Sequence, residues 1–207
     1  MNVRPATPDD AAAVSDVAEA AWWETYPGVL DPDAVQAALA ELYDEAFLRE
    51  VLEEREDLLF VVCEVRSEGE PGSGRTASLA RVERSETREL SERRPQGAVS
   101  RGSRESAADD REIVGFATAQ QTWADEVAVH TVYVHPDRWA EGVGTALLEE
   151  IEASARAADA DRLRAGVLSG NHVGRSFLES RGFERVETET AEVAGETVPE
   201  DVFEREL

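Results

Sequence analysis

Residues Val132–Leu148 read VYVHPDRWAEGVGTALL: an apolar strand, a glycine-bearing turn, then an apolar helical stripe. The strand ends at Val134, and Pro136 stops it. Gly142 and Gly144 allow a tight turn and a close backbone approach to a ligand. The first N–H groups of the helix that follows have no carbonyl to pair with, and they point outward at the positive end of the helix dipole. Such a turn suits a phosphate or pyrophosphate. Thr145 adds a hydroxyl and Arg138 a charge. A Walker loop is excluded, because it needs lysine and the chain has none; a Rossmann fingerprint would place its third glycine where Leu147 stands. On spacing alone, Gly-x-Gly also fits an ordinary strand-to-helix turn.

The segments on either side read as alternating strands and helices. Val3–Ala6 predicts a strand, and Thr7 a helix cap with Asp9 and Asp10 in the first turn. Val14, Val17, Ala18 and Ala21 form an apolar helical stripe, Asp31-Pro32 opens a second helical region, and LLFVVCEV (58–65) reads as a buried strand. Glu112–Thr122 and Val127–Val134 are two more strands, Gly142–Ala158 a helix, and Leu163–Leu168 a strand. Asn171–Ser180 is a helix ended by Gly182, and a final strand pair turns at Ala194-Gly195. The pattern is that of a mixed α/β chain of one domain, residues 1–207.

One stretch differs from the rest. Arg66–Glu112 holds 10 arginines and 10 acidic residues among its 47, and only four Val, Leu, Ile or Phe. So few apolar groups predict a disordered or loosely helical insertion, with Arg81–Arg94 as a polar helix. It reads either as a solvated loop or as a partner-binding arm. Its position between two strands points to an enlarged hairpin tip, where length is tolerated.

The 207 residues carry a formal net charge of −24, and all 21 basic residues are arginine. That sign argues against nucleic-acid or anionic-membrane partners. The longest apolar run, Leu58–Cys63, is far short of the roughly 20 residues that span a bilayer. No secretory signal is visible behind Met1, and the single Cys63 excludes an internal disulfide or a cysteine-cluster metal site. The expectation is a cytoplasmic protein, with no metal. The carboxylate excess also fits a halophilic protein kept hydrated in concentrated salt, against the plainer reading of an acidic mesophilic one.

A strand ending Val-x-Pro, the Gly-x-Gly loop, a long helix, a strand, then Asn171, Phe177 and Gly182-Phe183 follow in order and register. This succession resembles the GCN5-related N-acetyltransferase (GNAT) family, whose first strand and helix cap the opening VRPATPDD (3–10) also resembles. The resemblance covers everything but the low-complexity block. It implies a central twisted, mostly antiparallel sheet with a splayed central strand pair and flanking helices. It implies acetyl-CoA as acyl donor and direct acetyl transfer to an amine of a small molecule or a protein. Backbone groups of Val132, Tyr133 and Val134 would pair with the pantetheine. The loop Arg138, Trp139, Ala140, Glu141, Gly142, Val143 and Gly144, with Thr145, would hold the pyrophosphate. Asn171 and Phe177 would flank the thioester.

Two departures stand out. Trp139 replaces the family's first loop Arg or Gln, and Leu178 occupies the position of its frequent general-acid tyrosine. The frequent base position is Ala128; Glu126 and His130, on the same face if the strand alternates, are the catalytic candidates. Each also has an ordinary structural reading, as a solvated strand-end acid and a packed histidine. Trp22, Trp23, Glu24 and Tyr26 fall where the family borders its acceptor site; one tryptophan would be core and the other, with Glu24, would receive a cationic amine. Leu178 and Ala128 leave a non-catalytic acyl-CoA-binding sensor as the competing reading, and a cofactor-free α/β domain as the third. A homodimer through the C-terminal strands is compatible with the sequence.

Overall fold

A strand buried on both faces needs apolar side chains at successive positions. Leu58–Arg66 (β2) has them: Phe60 and Val62 enter one core, Val61 and Cys63 the other. The computed structural model describes residues 1–55, 57–66 and 111–207, which form a seven-stranded sheet with five helices. The other strands are Asn2–Pro5 (β1), Arg111–Trp123 (β3), Glu126–Val134 (β4), Arg162–Leu168 (β5), Glu184–Val193 (β6) and Glu196–Glu206 (β7). Their order is β1-β2-β3-β4-β5-β7-β6, antiparallel throughout except for the parallel pair β4–β5.

Helices cover both faces. Ala11–Thr25 (α1), Pro32–Leu42 (α2) and Glu45–Glu54 (α3) pack around Val14, Trp22, Val35 and Leu48 on one side. Val143–Ala157 (α4) and His172–Ser180 (α5) bury Leu147, Ile151 and Leu178 on the other. The predicted second helical region is two helices, because the Asp44 carboxylate accepts from the N–H groups of Ala46 (3.0 Å) and Phe47 (3.2 Å) and caps a new one. Asp10 sits in the first turn as expected, accepting from the Thr7 N–H at 2.7 Å, and it also binds Arg4 through both oxygens, at 2.7 and 2.8 Å, which ties β1 to α1.

β2 and β3 pair with Arg66 opposite Arg111, at the two ends of the low-complexity block. Its expected ends need correction. Arg66, Arg111 and Glu112 are strand residues, and Arg111 reaches the buried Glu64 carboxylate. The predicted disorder and the Arg81–Arg94 helix fall on residues 67–110, outside the described residues.

β4 does not alternate regularly. Thr118 pairs with Thr131, but Ala119 pairs with Val129, so His130 is an extra residue on β4, a β-bulge. The slip reverses the phase of the strand. Val127 and Val129, then Val132 and Val134, all face the α4 core, and Tyr133 faces the α1 core. The alternation that places Glu126 and His130 on one face therefore stops at His130 and does not carry on to Val132 and Val134.

Candidate active site

β4 and β5 pair from Glu126–Arg162 to Val129–Ala165 and then separate. The bulge at His130 bends β4 at that point. Residues 130–134 of β4 and 166–168 of β5 share no ladder, and the opening between them is a cleft. Asn171 stands at its mouth as the N-cap of α5, its Oδ1 accepting from the Gly174 N–H at 2.8 Å. Two cavities of about 370 Å³ each meet here and share Val132, Tyr133, Asn171, Gly174 and Phe177. That is within the usual size of small-molecule sites.

The first cavity is built by the turn into α4. Ala140 (φ +64°) and Gly142 (φ +86°) both take left-handed conformations. The first bond of α4 runs from the Ala146 N–H to the Gly142 carbonyl, 3.0 Å, so the N–H groups of Val143, Gly144 and Thr145 precede the ladder. All three residues line the cavity. A Cβ on Gly144 would stand 3.3 Å from the Phe177 ring, so glycine here serves the close approach of α4 and α5 as well. The Trp139 indole Nε1 donates to the Val134 carbonyl at 2.9 Å and pins the loop to the end of β4. Arg138 and Arg181 line this cavity, and no Asp or Glu does.

The second cavity has the opposite character. Glu41, Glu192 and Glu200 line it, with His130 and no arginine. Its wall is aromatic: Trp22 packs on Tyr26 (4.7 Å between centroids) and Tyr43 (5.9 Å), and Tyr43 on Tyr133 (6.0 Å). The Tyr26 and Tyr133 hydroxyls are 3.3 Å apart. Burial raises the hydroxyl pKa of all three tyrosines above the ordinary value, that of Tyr133 well above it. Burial, with the charge of Glu189 added, raises the Glu200 carboxyl. Partial desolvation of the ring, then the Arg55 charge, lowers His130, which favours its neutral form near pH 7. A Cβ on Gly166 would lie 2.6 Å from the Glu200 carboxyl carbon, so this glycine in mid-strand makes room for the carboxylate.

The GNAT acetyltransferase family model matches residues 75–183. The chain belongs to the GNAT acetyltransferase family. None of the curated proteins matches the sequence. Among solved structures, the PaiA N-acetyltransferase of Thermoplasma acidophilum in complex with coenzyme A is 17% identical, with a TM-score of 0.68 over 100% of this chain and 98% of that one. NAA60 of Arabidopsis thaliana, in complex with a bisubstrate analogue, is 14% identical with a TM-score of 0.62, covering 100% and 98%. The ribosomal-protein-alanine N-acetyltransferase of Brucella melitensis is 20% identical with a TM-score of 0.57, covering 100% of both chains. At these identities the likeness is one of fold, and the mostly antiparallel sheet expected from the sequence is the fold they share. The protein is a GNAT N-acetyltransferase with acetyl-CoA as acyl donor.

Within this GNAT fold the expected site residues divide. Val132, Tyr133, Val134, Arg138, Trp139, Ala140, Gly142, Val143, Gly144, Thr145, Asn171 and Phe177 are brought together around the first cavity. Glu141 is not: it is exposed and turned toward Arg138, 3.7 Å away. Trp22 and Tyr26 line the second cavity, but Trp23 and Glu24 do not. Tyr26 follows Trp22 by four residues on the buried face of α1, whereas Trp23 and Glu24 project from other faces into solvent. Glu126 also lies away from the cleft, at the far end of β4. Its buried carboxylate accepts from Thr122 Oγ1 (2.9 Å) and Arg162 Nε (3.0 Å), which occupies it structurally. His130 does line the cleft. The sequence reading missed Tyr43, Glu41, Glu192 and Glu200. Among the described residues no cluster of His, Cys, Asp or Glu is arranged to hold a metal, and no helix is long and apolar enough to cross a membrane.

Proposed function

We propose that the enzyme acetylates a small cationic amine, which enters by the carboxylate-lined half of the cleft while acetyl-CoA fills the other. The carrying observation is the division of charge: two arginines and no acid line one half, three glutamates and no arginine the other. Coenzyme A is a polyanion, and an unreacted amine is a cation. The N–H groups of Val143, Gly144 and Thr145, with Arg138 and Arg181, take the pyrophosphate. The free edge of β4 around Val132 takes the pantetheine, and Asn171 and Phe177 flank the thioester. Because the Trp139 indole already holds the Val134 carbonyl, the pantetheine pairs short of that group. His130, held neutral near pH 7, removes the amine proton before attack. A small acceptor suits a cavity closed by the ends of β6 (Glu192, Val193) and α2 (Glu41, Leu42) better than a protein surface does.

Thiol release from acetyl-CoA tests this against four acceptor classes: diamines, alkylamines of equal length with an uncharged tail, amino acids, and peptides with a free N-terminus. Diamines are expected to exceed the uncharged-tail amines at least tenfold in kcat/KM. Equal rates, or a preference for amino acids, would overturn the reading.

The same charge supports a salt-rich cytoplasm as the working environment. With a net charge of −24, self-repulsion falls as salt shortens the Debye length to roughly 3 Å at 1 M. The melting temperature is expected to rise from low to molar KCl; a steady fall would refute the idea.

A further inference from the structure

We propose that the Tyr133 hydroxyl, held against that of Tyr26, is the proton donor to the departing coenzyme A sulfur. The step rests on direct attack within the cleft described above. Three observations place it. First, Leu178, buried in the cleft wall, is a hydrocarbon and cannot donate a proton. Second, Tyr133 belongs to the small set of residues shared by both cavities. The thioester must sit at that junction if an amine from one half is to reach an acetyl group from the other. Third, the His130 bulge is what turns Tyr133 to this side. Had β4 kept the alternation of Val127 and Val129, residues 131 and 133 would have followed them into the α4 core, and Tyr133 would have been lost to the cleft.

The chemistry balances without a further reagent. The amine nitrogen bonds to the thioester carbonyl carbon, the C–S bond breaks, and sulfur keeps the electron pair. The Tyr133 O–H proton moves to sulfur as that bond breaks, giving the free thiol. The Tyr133 oxygen regains a proton from Tyr26, 3.3 Å away, which recovers one from the proton the amine has released. Burial beside Tyr43 and Tyr26 holds the Tyr133 hydroxyl protonated across the working pH range, so it enters each cycle as an acid.

The test compares two donors on the same acceptor: acetyl-CoA and its selenoester analogue, acetyl-seleno-CoA. A selenol is a stronger acid than a thiol and leaves without a proton. Tyr133→Phe is expected to lower kcat about 100-fold with acetyl-CoA, the usual scale of a general acid, with KM for acetyl-CoA within about twofold. With the selenoester the loss should shrink to less than about fivefold. Restoring the hydroxyl at the other position, as Tyr133→Phe/Leu178→Tyr, should recover at least tenfold. Equal losses on both donors would reduce Tyr133 to a positioning residue and overturn the proposal, as would an unchanged kcat. Should Tyr133→Phe fail to fold, Tyr26→Phe answers in its place: a smaller loss that again vanishes with the selenoester supports the relay, and a donor-independent loss refutes it. A wild-type enzyme preferring an uncharged acceptor would sink the cationic-amine reading and leave this donor comparison intact.

Discussion

Asp201→Ala is expected to destabilise the protein by about 3 kcal/mol, the scale of two lost hydrogen bonds to a charged acceptor at about 1.5 kcal/mol each. Asp201 is 2% exposed on β7, and its carboxylate accepts from Thr188 Oγ1 (2.8 Å) and Arg185 (3.2 Å) and lies 3.5 Å from Arg175 Nε. Arg185 and Thr188 belong to β6 and Arg175 to α5, so one side chain joins three elements. Without it, the Arg185 and Arg175 guanidinium groups turn to water, and the seam between β6, β7 and α5 loses its common acceptor. For a chain of this length the melting temperature should drop by roughly 6–12 °C. Burial opposes ionisation of Asp201, but the bonds from Thr188 and Arg185 outweigh it and hold the carboxyl below its ordinary value. A depressed folded pKa contributes stability above the unfolded value and loses it as pH falls through the folded one. The gap between wild type and Asp201→Ala should therefore be full above about pH 4 and narrow in more acid solution. A constant gap would mean that the loss is one of packing alone. Because Arg175 sits one turn into α5 from Asn171, the variant should also weaken acetyl-CoA binding.

How the site is assembled shows what a sequence can carry. The loop from Arg138 to Thr145 is legible because all its determinants are contiguous: Pro136 stops a strand, Gly142 supplies a left-handed turn, and a helix begins at once. The bulge at His130 was also legible in retrospect. Apolar residues at 127, 129, 132 and 134 break the period of two between His130 and Thr131, which marks an inserted residue. Likewise Val14, Ala18, Trp22 and Tyr26, at fours, trace the buried face of α1 and leave Trp23 and Glu24 outside. Gly166 in mid-strand signalled a close approach, though not by what. The glutamate-lined half, proposed for the acceptor, is different in kind. Tyr43 and Glu41 lie at the end of α2, His130 on β4, Glu192 on β6 and Glu200 on β7. They meet only because β7 inserts between β5 and β6. No local periodicity reports that strand order, so no pattern in the chain could bring these residues together.

Glu41→Gln/Glu192→Gln/Glu200→Gln should lower kcat/KM for a diamine about 100-fold in dilute buffer. Each carboxylate near a bound cation is worth on the order of 1 kcal/mol at the effective dielectric of a partly exposed cleft, and three together approach the 2.8 kcal/mol of a hundredfold change. The contributions are unequal. Glu41 and Glu192 are exposed at the rim, where molar salt screens them; Glu200 is half-buried beside Gly166 and is screened less. In molar KCl the rim pair should account for less than about threefold, and Glu200→Gln alone should keep most of its effect. The elevated Glu200 pKa adds a pH signature. The group is charged only above that value, so wild-type selectivity for a cationic acceptor should strengthen as pH rises through it, and Glu200→Gln should abolish the change. None of the three lines the arginine-lined cavity proposed for acetyl-CoA, so KM for acetyl-CoA should stay within about twofold. An equal loss with an uncharged-tail amine would show that the glutamates shape the cleft and do not read charge. Loss confined to the diamine would locate acceptor recognition in side chains that α2, β6 and β7 bring to the opening between β4 and β5.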